Sequence, residues 1–481
     1  MTGAPLLEIA VVLLGFVVLM VEAFSSIDKR LLAITSIVGL VAVLVATFFL
    51  PSPPAAEVTG MWSFYAADSL AIFFKRFALV TTMLVLIMMI DYAPIVRQTI
   101  HGATHQAGLG EFFAIPLFTC AGLMWMASAV DFVMIFVSLE VVTMSFYVLV
   151  AFTRRNPVSL EAGVKYLILS ALSTGFLVYG ITWIFGVTGE TNLARITAAL
   201  TAADVERAPA LFGMALVLVA LGFKIAAVPF QIWVPDVYQG APTPVTAYLS
   251  VGSKAAGFVV LLRVLEPFFI LPQMQRLLVA VAALTLIYGN VAALPQTNLK
   301  RLLAYSSIGH AGYLLVGVVS LSGAAISFYL VSYLLMTMLS FAVLVIVASQ
   351  AGDRIEDFNG LSTRSPFLSF AMLIAMASLA GIPFTAGFLG KFFIFDAAIR
   401  QHQTMLAIVG VITVACGFYY YLKVVRAMYW EPATSTAALP VSQFSRVTMT
   451  GLIAAIIVLG VYPQPILNAL RPQRAAAAAA R

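Results

Sequence analysis

The sequence predicts an all-α polytopic membrane protein of about fourteen transmembrane helices, with two inverted five-helix repeats that contain broken helices. Three observations carry that expectation. Hydrophobic side chains make up 62% of the 481 residues and charged ones only 10%, too little polar surface to cover a water-soluble globule of this size. Apolar runs of roughly 20 residues, the length that crosses a bilayer core, follow one another almost from end to end. The runs are continuous rather than alternating, which excludes the strands of a closed barrel.

Taken in order, the spans fall near Leu6–Ala23, Leu31–Leu50, Leu70–Ile90, Phe112–Ala129, Phe132–Phe152, Tyr166–Val187 and Leu211–Phe230. The second half continues with Val245–Leu265, Leu277–Leu294, Leu302–Leu321, Ala324–Val347, Phe367–Phe395, Leu406–Met428 and Val447–Tyr462. No basic residue precedes the first run, so it is expected to stay as a helix and not to be cleaved as a signal peptide. Basic pairs at Lys29/Arg30, Arg154/Arg155, Lys300/Arg301 and Arg354/Arg364 fall in the loops after spans one, five, nine and eleven. The loops after spans two, four and ten hold no Lys or Arg, so the positive-inside bias puts the first set in the cytoplasm (or matrix) and both termini outside. Arg195, Arg207, Arg276 and the tail arginines run against that trend.

Several function classes drop out. The net charge of +6 is dispersed over short loops and makes no nucleic-acid surface. Cys120 and Cys416 lie inside spans without metal-ligand spacing, so neither disulfide nor metal chemistry is expected. There is no Gly-rich nucleotide motif on a strand and helix, no cysteine cluster for iron–sulfur and no axial pair for haem. The Ala-rich end, Ala475–Ala480, reads as a low-complexity tail.

The placement of lysines is the most informative feature. Arginine stays charged everywhere, whereas lysine can give up its proton when water is removed. Nearly all arginines occupy loops or span ends, but Lys165, Lys224, Lys254 and Lys391 fall within or at the edge of apolar spans. A charge at the centre of an inserted helix costs roughly 2.5–3.5 kcal/mol on insertion scales, so each such lysine is either a snorkelling or quietly paired side chain or part of a transfer path. Lys224 and Lys254, deep in consecutive spans, point to the second reading; Lys165, four residues after Glu161, divides evenly between the two. Lys75 lies near one end of span three, where snorkelling suffices. Glu140 sits inside span five, where a lone carboxylate can stabilise a nearby lysinium. Glu22 and Asp396 are close enough to span ends to be solvated. His310, within span ten, can accept and donate a proton near neutral pH, or simply bond between helices. Tyr305, Ser306 and Ser307 beside it could hold water or pack helix on helix.

Proline and glycine predict two broken helices, one through Lys224 to Pro229 and Pro235, the other at Pro383 and Gly387 before Lys391. Each contains a Val/Ile-Pro-Phe core, at Val228-Pro229-Phe230 and Ile382-Pro383-Phe384, five spans apart and therefore oppositely directed. The expected division is 1–110 for flanking helices one to three, 111–270 for the first repeat, 271–430 for the inverted second, and 431–481 for helix fourteen and the tail.

These segments resemble a known family, the antiporter-like membrane subunits of respiratory complex I, related to subunits of Mrp-type cation/proton antiporters. The resemblance runs over roughly residues 70 to 430. It rests on Glu140, Gly222-Phe-Lys224 through Pro235-Asp236, Ala241-Pro-Thr-Pro-Val245 leading to Lys254, Lys300-Arg301 through His310, and Gly381-Ile-Pro383 through Lys391. Within the family it favours the N type: no long lateral helix follows the last span, as in the L type, and Lys391 stands where the M type generally has glutamate. The resemblance implies proton transfer through Glu140, Lys224, Lys254 and Lys391, with Lys165 modulating and His310 relaying. It also implies a bacterial inner membrane and neighbouring complex I subunits as partners, with no cofactor in this chain. FMN, iron–sulfur clusters and quinone would then belong to those partners, and a stand-alone Mrp-type antiporter is the rival reading.

Overall fold

The computed structural model describes residues 5–25, 28–49, 63–101, 109–201, 207–268, 272–433 and 438–469. The alanine tail Ala475–Ala480, the tail arginines and the expected end of span two at Leu50 lie outside them. Among the described residues, thirteen helical segments are long and apolar enough to cross a membrane, and a further crossing is divided between two shorter helices.

The first half comprises α1 (Leu6–Phe24), α2 (Lys29–Ala46), α3 (Ser69–His101), α4 (Leu109–Ser128), α5 (Phe132–Val150) and α6 (Pro157–Thr188). A short α7 (Leu193–Thr201) buries only Leu193, Ile196 and Leu200, the stripe of a surface helix. Then come α8 (Arg207–Ile225), α9 (Val234–Gly240), α10 (Thr243–Tyr248) and α11 (Lys254–Leu265), the last two joined by a π turn at Leu249–Ser253. The second half runs through α12 (Pro272–Ala293), α13 (Leu299–Val319), α14 (Gly323–Ala348), α15 (Leu361–Arg364), α16 (Pro366–Ala380), α17 (Ala386–Arg400), α18 (Thr404–Trp430), α19 (Gln443–Val461) and α20 (Gln464–Ala469).

Local chemistry explains where several helices begin. Asp28, Asp131, Asn156 and Asn298 each accept a backbone N–H of the first turn that follows. At Asn156 the cap is reinforced by Pro157, so α6 starts nine residues before the expected Tyr166 and carries Lys165 in its third turn. Helix α3 runs past the expected Ile90 to His101, through Pro94. Two loop sets also gather as the charge pattern implies. Thr153, Asn156, Lys300 and Asp353, from the connections after spans five, nine and eleven, line one pocket. Tyr65 bridges Ala129, and Asp131 bridges Asn192, elsewhere.

Burial sorts the helices. The α10–α11 segment, α13 and α14 are enclosed on nearly all sides, whereas α1, α6 and α19 turn most of their surface outward. An apolar outer face contacting lipid costs nothing in hydrophobic burial, so the outer helices are held by close approach. At the α6–α8 crossing, a Cβ on Gly213 would stand 2.7 Å from the Gly180 carbonyl oxygen.

Candidate functional site: a buried lysine axis

The site is built from three backbone irregularities, each with a lysine. The first follows α8: after Ile225 the chain turns through Ala226, at φ +65, and does not resume as helix until Val234. The break therefore falls at the end of a full-length helix, and not midway along Leu211–Phe230 as the prolines suggested. Lys224 lies in the last turn of α8, where a positive charge complements the negative pole of the helix. The second irregularity is the π turn, which delivers the chain directly to Lys254, the first residue of α11. The third separates α16 from α17: Gly381 at φ +89 and Phe384 at φ +66 turn the chain away from the α16 axis. Lys391 reaches back across that gap and donates to the carbonyls of Leu379, at 2.8 Å, and Ala380, at 2.9 Å. Gly381 makes room for it, since a Cβ there would lie 3.3 Å from Lys391 Nζ. Gly387 lies within α17, where its N–H donates to Ser378 Oγ at 3.1 Å, so its contribution is close packing beside the break.

Lys224, Lys254 and Lys391 are 5%, 1% and 5% exposed, so none snorkels to water. Among the described residues none of them has an ion-pair partner, and hydroxyls, carbonyls and rings hold them instead. Lys224 donates to Thr143 Oγ1 at 3.1 Å. Glu140, half-buried on α5, accepts from Thr174 Oγ1 at 2.7 Å and makes no direct contact with Lys224. Thr143, Thr174 and Lys224 line one crevice together with Ser170 and Ser173, with room for about one water molecule. The two members of the gating pair expected from the sequence are thus separated, each bonding a different threonine.

Lys224 packs beside α11, where a Cβ at Gly257, three residues beyond Lys254, would lie 3.4 Å from Lys224 Cγ. Lys254 donates to the carbonyl and hydroxyl oxygens of Ser307 on α13, and its Nζ lies 5.8 Å from the Tyr333 ring centre. That ring is 5.0 Å from His310. On its other side, the His310 ring is 6.0 Å from Tyr313, whose ring lies 5.2 Å from Lys391 Nζ. His310 is fully engaged, Nδ1 with Tyr329 Oη at 2.7 Å and Nε2 with Tyr421 Oη at 3.0 Å; Tyr421 in turn bonds Ser306 Oγ. The sequence therefore brings together Glu140, Lys224, Lys254, His310 and Lys391 as one polar seam through the most enclosed helices, α11, α13 and α14.

Lys165 stands apart from the seam. Its side chain is 41% exposed and sits in the third turn of α6. It pairs with Glu161 at 2.7 Å and Asp236 at 2.8 Å, and Arg301 joins Asp236 at 2.9 Å. Burial alone would raise the Asp236 carboxyl, but hydrogen bonds from Lys165 and Arg301 hold it below the usual aspartate value. The cluster ties α6, α9 and α13 together next to the first break.

The NADH:quinone oxidoreductase/Mrp antiporter transmembrane family matches residues 129–417, a stretch that contains every residue of the seam. The chain belongs to that family. NADH-quinone oxidoreductase subunit N of Trichlorobacter lovleyi is 42% identical over 434 residues, covering 88% of this chain and 87% of that protein. The same-named subunit of Desulforamulus reducens is 39% identical over 467 residues and 95% of both chains. Among solved structures, a chain of respiratory complex I from Thermus thermophilus superposes with a TM-score of 0.81 at 31% identity, over 96% of this chain and 98% of that one. A chain of the Mrp complex from Dietzia, at 20% identity, covers 98% of this chain and 96% of its own with a TM-score of 0.80, a likeness of fold alone.

In this member of the NADH:quinone oxidoreductase/Mrp antiporter family, several charged residues have partners that sequence spacing did not reveal. Lys75 does not snorkel: it is 2% exposed and pairs at 2.8 Å with Glu8, which is 0% exposed. Glu22 is not simply solvated, because Lys29 pairs with it at 2.5 Å, and Asp396 holds Arg400 at 2.8 Å. Lys300 is buried in the first turn of α13 and donates to the Ala241 carbonyl at 3.0 Å. The tyrosines at 313, 329, 333 and 421 were missed because an aromatic side chain in an apolar span reads as packing. The hydroxyl contacts of Tyr329 and Tyr421 with His310, and the ring contacts of Tyr313 and Tyr333, arise only once α13, α14 and α18 meet.

Proposed function

We propose that this chain is the N-type proton-translocating subunit of NADH-quinone oxidoreductase in a bacterial inner membrane. The observation that carries this reading is the coincidence of each of three buried lysines with an irregular or interrupted helix, with His310 and tyrosine rings lying between Lys254 and Lys391. A continuous apolar bundle needs neither the breaks nor the lysines, and each buried charge is costly where it has no carboxylate beside it.

In this account Glu140 attracts positive charge to Lys224 across the threonine-lined crevice. Charge arriving from a neighbouring subunit weakens that attraction and releases the Lys224 proton toward Lys254. From Lys254 the proton passes by way of Ser307 and the tyrosine-flanked His310 to Lys391, whose Nζ donates to two carbonyls. These transfers are coupled, since protonating one lysine repels charge at the next. Lys165 modulates the first step by anchoring α9 through Asp236. The first repeat, 111–270, contributes the break after α8 and the π turn, and the second, 271–430, the break between α16 and α17, flanked by 1–110 and 431–481.

The driving reaction, electron transfer from NADH to quinone, belongs to partner subunits that hold FMN and iron–sulfur clusters. This chain supplies binding and transfer of protons. The test is purification in mild detergent: flavin- and iron–sulfur-containing subunits should accompany the chain. Recovery only with other antiporter-type subunits, together with sodium- or potassium-dependent proton exchange, would replace this reading with a stand-alone Mrp-type antiporter.

A further inference from the structure

Away from the seam, the start of α2, the last third of α3 and the start of α4 enclose a groove of about 240 Å³, far larger than the single-water crevice beside Lys224 and roomy enough for a phosphodiester. Its lining has two parts. Ile90, Ala93 and Pro94 of α3 and Phe113 of α4 form an apolar wall, with Phe113 and Ala93 buried at its base and Pro94 exposed at its lip. Lys29 and Arg30 of α2 and Arg97 of α3 form a basic rim, joined by Asp28. The rim lies on the face that the positive-inside bias assigns to the cytoplasm.

The two carboxylates of this region are already committed. Glu22 pairs with Lys29 at 2.5 Å and packs on α4, where a Cβ at Gly110 would lie 2.3 Å from its Cγ. Asp28 caps α2 by accepting the Arg30 N–H at 3.0 Å. Arg30 and Arg97 are exposed, and among the described residues neither has a carboxylate partner, whereas Arg195, Arg263, Arg301, Arg354, Arg400 and Arg426 each have one. Three cations, Lys29, Arg30 and Arg97, against two anions, Glu22 and Asp28, leave a net charge of +1 at the rim. Helix α2 begins at the same rim and adds its positive pole. Orientation in the membrane explains basic residues at a helix end, but it does not explain their convergence from two helices on a groove with an apolar wall.

We propose that this groove binds the headgroup of an anionic phospholipid. The phosphate lies between Arg30 and Arg97, whose planar forks match its oxygens, and the acyl chains run over Ile90 and Pro94 into the surrounding bilayer. A basic hollow between membrane helices, open on one side to lipid, is suited to that occupant: charge selects the headgroup and the apolar wall accepts the tail. A zwitterionic headgroup carries its own ammonium and gains less from a positive rim. The bound lipid would tie α2 to α3 at an edge of the bundle where α2 turns much of its surface outward. The site stands whether or not the lysine seam carries protons.

The test uses the purified assembly in phosphatidylcholine vesicles that contain phosphatidylglycerol with a photoreactive acyl chain. Labelled peptides are mapped by mass spectrometry, and labelling of the outer helix α6 serves as the reference for bulk lipid. A phosphatidylcholine probe with the same chain is the comparison. The phosphatidylglycerol probe should label the segment from Ile90 to Arg97 and the start of α4 in excess over both references. In Arg30→Gln/Arg97→Gln that excess should fall about tenfold or more, since each basic residue beside an anionic lipid contributes severalfold to binding. Arg30→Lys/Arg97→Lys keeps both charges and should retain the preference for the anionic probe. Equal labelling by the two probes, unchanged labelling in the glutamine variant, or loss of the preference in the lysine variant overturns the proposal. Displacement of the lipid by excess inorganic phosphate assigns the arginines to a free anion, absence of any label there assigns the groove to a neighbouring subunit, and failure of the glutamine variant to assemble assigns the arginines to folding; each of these also overturns it.

Discussion

Replacing Lys391 with arginine or with methionine separates its two jobs, holding the break and carrying a proton. Its Nζ donates to the Leu379 and Ala380 carbonyls, which α16 leaves unpaired at its end. Methionine fills the same space without a donor. Two buried acceptors are then orphaned at about 1–3 kcal/mol each, or ~2–6 kcal/mol at the break, offset in part because a buried charge is no longer desolvated. Arginine keeps both donation and charge, so the break should be nearly as stable as in the native chain while the transferable proton is lost. Hydrogen exchange of the segment from Gly381 to Thr385 in the purified complex reads the first effect, and vesicle proton pumping normalised to assembled complex reads the second. The methionine variant should exchange faster there and pump poorly; the arginine variant should exchange normally and pump poorly. Native pumping by the arginine variant would show Lys391 to be a fixed countercharge, and unchanged exchange in the methionine variant would show that it does not hold the break.

Three further outcomes follow from the same geometry. Gly381→Ala places a side chain at φ +89 and 3.2 Å from Lys391 Cδ, so it should cost about 1–2 kcal/mol in backbone strain and displace the lysine, seen as reduced pumping in complexes that still assemble. Glu140→Gln preserves the bond from Thr174 but removes the negative charge across the crevice from Lys224; pumping should fall sharply with assembly intact, and full pumping would dismiss the gating role. The carboxyl of Asp236 is held below its ordinary 3.8 by Lys165 and Arg301 in spite of partial burial, so its contribution is present above that value and is lost as pH falls through the depressed one. Asp236→Asn should therefore remove an acid-dependent component of thermal stability below about pH 4 while lowering stability at neutral pH, and identical acid profiles for the two proteins would contradict this.

Much of this was legible in the sequence because membrane solvation enforces simple rules. Lipid requires long apolar helices, so thirteen of the fourteen expected crossings appear as single helical segments, and the remaining one is the span broken at Pro383. Lysine within an apolar run and proline beside glycine are local signals, and they located Lys224, Lys254, Lys391 and both breaks. What depended on partners distant in the chain was not legible. Glu8 and Lys75 are 67 positions apart, and nothing near either one marks the pairing. The π turn before Lys254 has no composition of its own. The start of α6 was not legible either, because Asn156 and Pro157 extend the helix beyond its apolar run, a capping effect that hydropathy does not register.

Lys254 offers the most direct test of the central claim, because it lies between the two breaks and its Nζ donates to both the carbonyl and the hydroxyl of Ser307. Proton pumping and coupled NADH oxidation are measured in vesicles for Lys254→Arg at matched amounts of assembled complex. If the buried lysines pass a proton along the seam, both rates should fall by about tenfold or more, within the range lost when a positioned proton donor is removed. Native rates in the arginine variant would contradict the account, since a permanently charged side chain cannot relay the proton.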